Sequence, residues 1–585
     1  MSDLDLMDST FSSFSKIFNK NPSTEVRVAC SIGHRLFEGL RFDCVLLPVK
    51  DSNLRKIFTW ASPDLFLAEF SSLNGFEDIE KNTSTDSQRL YIAECTKLAS
   101  EYNIPSVCWI TSSIKENELE DDLIKNYLGF DLVCYADTKL VNHLRSFGVK
   151  AEVLLPCVQP AIYNPFLLHN EPNVGVDVLH EADADSVDDD KNAELKMAIK
   201  KYGFSFKSLN GFDNPAGPIK FQTLKTESCD RIKSRLKRLD CLKSAKAYVT
   251  SSESNIDLIK LQWNTLEAIA CRIAVVHHGV IDSNDLRNEI IVQCADDKEF
   301  YMEFLRYKLD DLYRERLAHK SWREVNLRHT FAHRLKRMCD LLEVNNQWVE
   351  YPLISVVTPT FRPELIEQAI RSFRKINYPN KELVLVLNMD NIPDIECSED
   401  ILMKIVHVPS DRFAGAAMNY GGMIAAGKYI FRADDDDIYG ENYFIDMVLA
   451  ARAVNVNTFG KHPVALKFDE DNFAYIKKDK ISYRLIPSKT LRSGQYWLAG
   501  NTITATKDSI MNNPYLDCFY GSADTARNLS LNSNYILGEE YIAVMDNFNA
   551  VACRRNDLGS HTWRDSKDDL LIAREKMDFL EDMFV

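Results

Sequence analysis

Lys428-Tyr429-Ile430-Phe431-Arg432-Ala433-Asp434-Asp435-Asp436-Asp437-Ile438-Tyr439 decides the reading of this chain. An apolar, strand-forming run leads straight into four consecutive aspartates. Four adjacent carboxylates repel one another and would cost stability on a plain surface. A bound cation removes that cost. On an extended chain Asp434 and Asp436 point one way, and Asp435 and Asp437 the other. In open α/β sheets, ligands bind at the carboxyl ends of strands. Oxygen-only ligands suit Mg²⁺ or Mn²⁺, and both ions accept a diphosphate as co-ligand. The plain alternative is an acidic turn that caps a helix over 441–450.

Working outward, the flanks keep the same grammar. Tyr351-Pro352 marks a boundary, and 354–358 reads as a strand that breaks at Pro359. Residues 364–375 form a predicted helix with Leu365, Ile366, Ala369, Ile370 and Phe373 on one face. Strand 382–387 follows, completing a βαβ unit. The small-residue stretch from Asp411 to Gly422 opens a helix running to Ala426, which suits close approach of another segment or of a ligand. Toward the N-terminus, strands are predicted at 26–30, 42–48, 64–68, 104–109, 132–135 and 153–155, with a helix at 84–102. A further α/β unit over 174–342 holds strand 247–251, helix 265–270 and strand 273–277. The alternation predicts an α/β protein of parallel sheets covered by helices. The expected organisation is a polar leader 1–25, two Rossmann-like halves at 26–170 and 171–345, and a third domain at 351–585.

The bulk composition narrows the function. The 585 residues allow two to four domains. A net charge of −16 argues against a surface that grips nucleic acid or anionic lipid throughout. A nucleotide diphosphate remains a fitting ligand if a divalent cation sits between it and the protein. The fourteen cysteines are scattered without close pairs, several in apolar settings such as Cys108 and Cys134. They read as buried thiols of a reducing compartment. The first residues lack the basic and apolar regions of a signal peptide. No apolar run is long enough for a transmembrane helix. A cytoplasmic location is expected, with peripheral membrane contact left open and oligomeric state unread. The acidic stretch 181–190 lacks the glycine and terminal glutamate spacing of a calcium loop. The basic stretch 231–246 reads as a solvated helix face, with a phosphate-facing patch as the sharper alternative.

Several segments occur together in the order of a known family. Thr358-Pro359-Thr360-Phe361-Arg362, the small-residue helix with Asn419, the entry Ala426-Gly427-Lys428-Tyr429-Ile430 and the aspartate cluster resemble family 2 glycosyltransferases, inverting enzymes of the GT-A fold. The likeness continues through Leu498-Ala499-Gly500-Asn501-Thr502, Tyr520-Gly521-Ser522-Ala523-Asp524-Thr525 and Ser560-His561-Thr562-Trp563. The resemblance implies Asp434, Asp436 and His561 as ligands of Mn²⁺ or Mg²⁺. It places Pro359, Thr360, Arg362, Asn388, Asp390, Asn419 and Asp435 on the donor side, and Trp497, Gly500 and Asn501 toward the acceptor. Asp524 becomes the general base. Two departures stand out. Ala523 occupies the place of an acidic residue, and the strand-end aspartate for uridine is displaced, with Asn388 and Asp390 nearby.

Phe130-Asp131-Leu132-Val133, the run 155–165, Leu266-Glu267-Ala268-Ile269-Ala270 and His329-Thr330-Phe331 resemble bacterial GT-B-like glycosyltransferases of the spore-maturation type, over roughly 26–345. That likeness implies Glu267 as a ligand of the donor ribose, and puts Arg272 where a glycine is usual. The joint expectation is two GT-B-type domains followed by a GT-A domain. The chain would move a sugar from a nucleotide-diphosphate sugar, a UDP-sugar first, to an acceptor hydroxyl by metal-dependent inversion. A bacterial surface polysaccharide or other glycan is the expected acceptor, and the N-terminal module could make the chain bifunctional. The alternatives are a glycan-binding or scaffold protein with degenerate modules, and a nucleotide-sugar hydrolase.

Overall fold

The computed structural model describes residues 22–50, 52–71, 75–76, 85–114, 129–168, 176–180, 206–208, 238–251, 258–279, 290–395, 400–462, 464–477, 481–488, 491, 497–517, 522–537, 541–555, 567–572, 574–577 and 579–585. The acidic stretch 181–190, the leader up to 21, residues 231–237 of the basic stretch, and His561 lie outside them. The chain divides into two compact units, Met1–Pro165 with Pro172–Trp348, and Phe166–Glu171 with Val349–Val585.

The first unit holds two separate sheets. One runs in the order Val45–Pro48, Arg27–Ser31, Leu65–Ser71, Ser106–Ile110, Leu132–Tyr135, Ala151–Val153, all parallel, with the short Gly75–Phe76 antiparallel to Leu65–Ser71. Every residue of Ser106–Ile110 and Leu132–Tyr135 is buried, as expected of parallel strands covered on both faces. The second sheet runs Phe206–Ser208, Val176–His180, Ala245–Ser251, Ala274–His278, Val292–Cys294, again parallel. The second follows the doubly wound order 2-1-3-4-5 and the first the same order with a sixth strand added, and in both the switch point lies between the first and third strands.

The segments 155–165 and 329–331, read separately in the sequence, are partners in space. Val158 bridges to Thr330. The buried Arg334 donates to the carbonyls of Leu155 (2.7 Å), Pro156 (2.8 Å) and Arg328 (2.9 Å), and to His329 Nδ1 (3.0 Å). Trp109, Trp263 and Phe331 pack with centroids 5.8–6.2 Å apart and tie the helices Leu258–Ala270 and Phe331–Leu341 to the first sheet. Arg272 follows the first of these helices with φ +63°, the left-handed conformation that ends helices and favours glycine. Its Nη2 donates to the Glu315 carbonyl at 3.4 Å. The glycine expected at this place is therefore a matter of backbone conformation as well as of space.

The second unit is built on a nine-stranded sheet ordered Met403–Val408, Lys381–Asn388, Ile354–Thr360, Tyr429–Arg432, Thr504–Thr506, Thr458–Gly460, Tyr541–Val544, Arg484–Pro487, Leu167–Leu168. The first four strands are parallel, and Thr504–Thr506 is antiparallel to both its neighbours. Leu167–Leu168 pairs with Arg484–Pro487. Residues 166–171 go with the C-terminal unit.

Pro359 does not break its strand. It stays in register with Val386, because pairing to Tyr429–Arg432 ends at Val357. Beyond that point the strand has one open side, where a missing N–H costs no ladder bond. The helix Ile366–Lys375 buries Ile366, Ala369, Ile370 and Phe373, as its spacing predicts. The helix Ala414–Ile424 lies so close to the sheet that a Cβ on Gly421 would strike the Val357 side chain. After the aspartates comes the helix Tyr443–Val454, later than the predicted 441–450. A smaller sheet, Ile438–Tyr439, Ala550–Arg554, Ala465–Phe468, Tyr475–Lys477, Arg574–Lys576, packs its second strand beside the cluster.

All eleven described cysteines are free, and ten are buried. Burial pushes the Cys30 thiol up to about 12, so it carries no thiolate at neutral pH. Among the described residues no helix is long and apolar enough to cross a membrane.

Candidate active site

The switch point of the nine-stranded sheet lies between Ile354–Thr360 and Tyr429–Arg432. The aspartate cluster leaves the carboxyl end of the second of these strands. Residues from the end of the first reach across to hold it. Thr360 Oγ1 donates to Asp435 Oδ2 at 2.5 Å, and Arg362 Nε to the same oxygen at 3.2 Å. Arg362 also binds Asp435 Oδ1 through Nη2, and Asp436 Oδ2 through Nη1 at 2.7 Å. Burial works against the Arg362 charge, yet its bonds to Asp436 and Asp435 hold the guanidinium above its ordinary pKa. Asp435 is raised by its burial against the pull of Arg362 and Thr360.

The cluster is not the extended run expected of it, since the backbone turns at Asp435 and Asp436 and bends at Asp437. Asp435 keeps 3% of its side-chain surface, against 24% for Asp434 and 16% for Asp436. Asp437 turns inward, where Asn501 Nδ2 donates to Oδ2 at 2.6 Å and the Cys553 amide to Oδ1 at 2.8 Å. Burial, then the charges of Asp434 and Asp436, push the Asp437 carboxyl well above the usual range. Asp435 and Asp437 are anchors, and Asp434 and Asp436 are half-buried on the cavity side, already paired with Arg432 and Arg362.

Arg432 closes the strand and forks back onto the cluster. Its Nε and Nη2 donate to the two oxygens of Asp434 at 2.6 and 3.0 Å, and its Nη1 pairs with Asp524 Oδ1. Asp524 stands in the first turn of the helix Ser522–Leu537, where a carboxylate also suits the helix dipole. Its side chain goes to Arg432 and retains 29% exposure. Burial raises its pKa, Arg432 opposes that, and Asp434 adds to it. The carboxylate abuts Gly500, where any Cβ would overlap its Cγ and Oδ2.

These groups line a cavity of about 220 Å³, with Pro359, Thr360, Phe361, Arg362, Asn388, Ala414, Arg432, Asp434, Asp435, Asp436, Asp437, Gly500, Asn501, Asp524, Ala552, Cys553 and Arg554 around it. Of the expected donor residues, Pro359, Thr360, Arg362, Asn388 and Asp435 reach it, and so do Gly500 and Asn501, which were expected toward the acceptor. Three do not. Asp390 accepts from the Ser410 amide (3.2 Å) and hydroxyl (2.6 Å). Asn419 spends both ends of its amide on the Tyr515 backbone, at 2.7 and 2.8 Å. The Trp497 indole N–H donates to the Leu491 carbonyl. The sequence reading missed Arg432, Phe361, Cys553 and Arg554. Arg432 adjoins the cluster and was visible, whereas Cys553 and Arg554 arrive from a distant strand with no motif to mark them.

Among the described residues no three His, Cys, Asp or Glu side chains converge as a cation cage. The donor set still suits a divalent ion that takes one or two carboxylates and completes its shell with phosphate oxygens and water. Asp434 and Asp436 would hold it. The lining carries five aspartates and three arginines, a formal excess of two negative charges.

Residues 355–499 match the family model described as Glycosyl transferase family 2. The glycosyltransferase GlyG of Streptococcus pneumoniae serotype 4 is 32% identical over 96 residues, which cover 15% of this chain and 32% of that relative. The chain therefore spans just under a third of the curated relative it matches. Among solved structures, Staphylococcus aureus TarS 1-349 aligns at 16% identity and a TM-score of 0.27, covering 34% of this chain and 60% of that one. A mannosyltransferase from Pyrobaculum calidifontis, solved with GDP-Man and Mn²⁺, aligns at 14% identity and 0.25, covering 35% and 57%.

In the first unit, Glu267 is buried at 2% exposure on the helix Leu258–Ala270. Arg238 Nη1 donates to it at 2.7 Å, and Arg35 Nε lies 3.6 Å away. Burial opposes its charge, yet Arg238 and Arg35 hold the carboxyl below its usual value.

Proposed function

We propose that the chain transfers a sugar from a nucleotide-diphosphate sugar to an acceptor hydroxyl, with inversion, in the cavity of its C-terminal unit. One observation carries the reading. Two half-buried carboxylates at a sheet switch point, Asp434 and Asp436, share one cavity with a third, Asp524, that comes from a separate helix. The family match over 355–499 and the glycosyltransferase relative support the class of reaction.

A divalent cation, Mn²⁺ or Mg²⁺, would supply positive charge against the leaving diphosphate when bound at Asp434 and Asp436. The chain's own residues do the rest. Thr360 and Arg362 fix the cluster, so that it need not reorganise as charge develops. Asn388 and the Pro359–Arg362 segment lie where the nucleoside would rest. Asp524 takes the proton of the acceptor hydroxyl as the new bond forms, since a free hydroxyl is a poor nucleophile at neutral pH. Gly500 and Asn501 border the acceptor side. His561 as a further ligand, Asp390 and Asn419 near the donor, and Trp497 near the acceptor belong to the same proposal on resemblance alone. A UDP-sugar donor, a bacterial surface glycan as acceptor, a cytoplasmic setting with peripheral membrane contact, and a GT-B-like N-terminal module with Glu267 toward a second donor rest on resemblance as well.

Asp524→Asn keeps the shape and removes the base. Donor affinity should stay near the wild-type value while turnover falls about 10²-fold or more. Unchanged turnover, or a product with retained anomeric configuration by NMR, refutes the mechanism. Equal release of sugar from donor with and without acceptor would favour the hydrolase instead.

A further inference from the structure

We propose that Arg432 is a positioning residue that yokes the metal-side aspartate to the base. The proposal rests on the glycosyltransferase reading of the cavity. Two arginines divide the acidic cluster. Arg362 serves Asp435 and Asp436, and Arg432 serves Asp434 and Asp524. The two aspartates that Arg432 joins stand 90 residues apart in sequence. Among the described residues, Asp524 makes no other side-chain hydrogen bond or ion pair. Its placement therefore depends on this one guanidinium on one side and on Gly500 on the other.

Only a guanidinium can do this. Its planar fork presents two parallel N–H groups to Asp434 while a third nitrogen reaches a different carboxylate. The anchor itself is rigid. Arg432 pairs in register with Val357 in the sheet, and its side chain is 11% exposed. A lysine offers one point of charge and cannot span both partners in fixed geometry.

The arrangement has two consequences of opposite sign. Arg432 holds Asp524 in place, which favours turnover. It also sets a positive charge against Asp434, which weakens the hold of Asp434 on a divalent cation. Each Asp434 oxygen keeps a second lone-pair site, so the ion can bind while the fork stays in place. Removing the charge should therefore tighten cation binding and slow the reaction together. A residue that merely supported the fold would lose both.

The test uses the full chain. Binding of Mn²⁺ alone is followed by the EPR signal of the free ion, without donor. The kcat and KM of donor turnover are measured separately. In Arg432→Met, Mn²⁺ should bind about tenfold more tightly. Its kcat should fall about 10²-fold without a rise in donor KM. Arg432→Lys keeps the charge, so its Mn²⁺ affinity should stay near wild type while kcat remains low. Unchanged or weaker Mn²⁺ binding by the Met variant overturns the proposal, and so does wild-type kcat in either variant. If the Met variant fails to fold, the Lys variant decides: wild-type Mn²⁺ affinity with a low kcat supports the proposal, and loss of both, or a wild-type kcat, overturns it. Failure of the wild-type chain to bind Mn²⁺ or to turn over any nucleotide sugar sinks the underlying reading, and the proposal with it.

Discussion

Gly500→Ala is the sharpest probe of the base. Gly500 begins the short 3₁₀ turn Gly500–Thr502, and its φ is not among the positive values in the chain. An alanine there meets no backbone strain and would by itself add about 0.4–1 kcal/mol through the unfolded state. The added Cβ, however, would lie 3.1 Å from Asp524 Cβ and inside the contact distance of its Cγ and Oδ2. The helix Ser522–Leu537 cannot simply withdraw, because Asn528 on it is tied to Leu498 by bonds of 3.1 and 3.2 Å. The Asp524 side chain must then rotate by about an ångström or more and leave Arg432. A displacement of that size in a reacting group costs about 10²-fold in turnover. Asp434 and Asp436 are untouched, so donor KM should hold. The assay is nucleotide release at saturating donor, with calorimetry for donor affinity and a melting curve for the fold. Wild-type turnover in a folded Gly500→Ala chain would refute the placement of Asp524 as base.

Further outcomes follow from other parts of the molecule. Asp436→Ala should abolish transfer yet leave the fold, since Arg362 keeps Asp435; full activity of that variant in excess EDTA would refute the metal role. Glu267→Gln strips a buried carboxylate from Arg238 and Arg35, and should destabilise the N-terminal unit by about 3–5 kcal/mol in denaturant melts. Burial and then the charge of Arg334 lower His329 to about 3, and Arg334 needs its Nδ1 unprotonated. The folded pKa lies below the unfolded value, so this stability is complete above about pH 6.5 and is lost as pH falls toward 3. Between pH 6.5 and 5 the loss should approach about 2 kcal/mol, and His329→Asn, which keeps an acceptor, should flatten the dependence in melts across that range.

The legible parts of the sequence were those with a period or a charge conflict. Helix Ile366–Lys375 buries the residues its spacing named, and strand Leu132–Tyr135 falls on its predicted bounds. The aspartate run pointed to the cavity because four like charges need a reason. What the sequence hid was register and long-range pairing. Pro359 looked like a break because its open side depends on where Tyr429–Arg432 stops pairing. Asn419 was expected on the donor side, and no sequence reading shows the Tyr515 backbone that it clamps. Leu167–Leu168 is too short for any periodicity, and only its partner Arg484–Pro487 assigns it. Arg554 and Cys553 reach the cavity through a strand whose neighbours lie about a hundred residues upstream.

The switch point of the first N-terminal sheet contrasts with that of the C-terminal sheet. It lies between Arg27–Ser31 and Leu65–Ser71, and the helix His34–Leu40 begins there at Gly33. A helix start in this position normally welcomes a phosphate. Here the Gly33 amide donates to Glu69 Oε2 at 2.7 Å, and Thr111 holds the other oxygen of Glu69 at 2.5 Å. Glu69 is 7% exposed, so the place an incoming anion would take already holds a buried carboxylate. A diphosphate could enter only against that charge. At the C-terminal sheet the equivalent position carries half-buried carboxylates and an open cavity, so a cation can convert it into an anion site. In the N-terminal unit Glu267 is paired with Arg238 and Arg35, whereas Glu69 keeps its charge and is only hydrogen-bonded by an amide and a hydroxyl. In the second sheet, near the carboxyl ends of the strands Ala245–Ser251 and Ala274–His278, Thr250 Oγ1 lies 2.7 Å from His277 Nδ1, so these two polar groups satisfy each other as well.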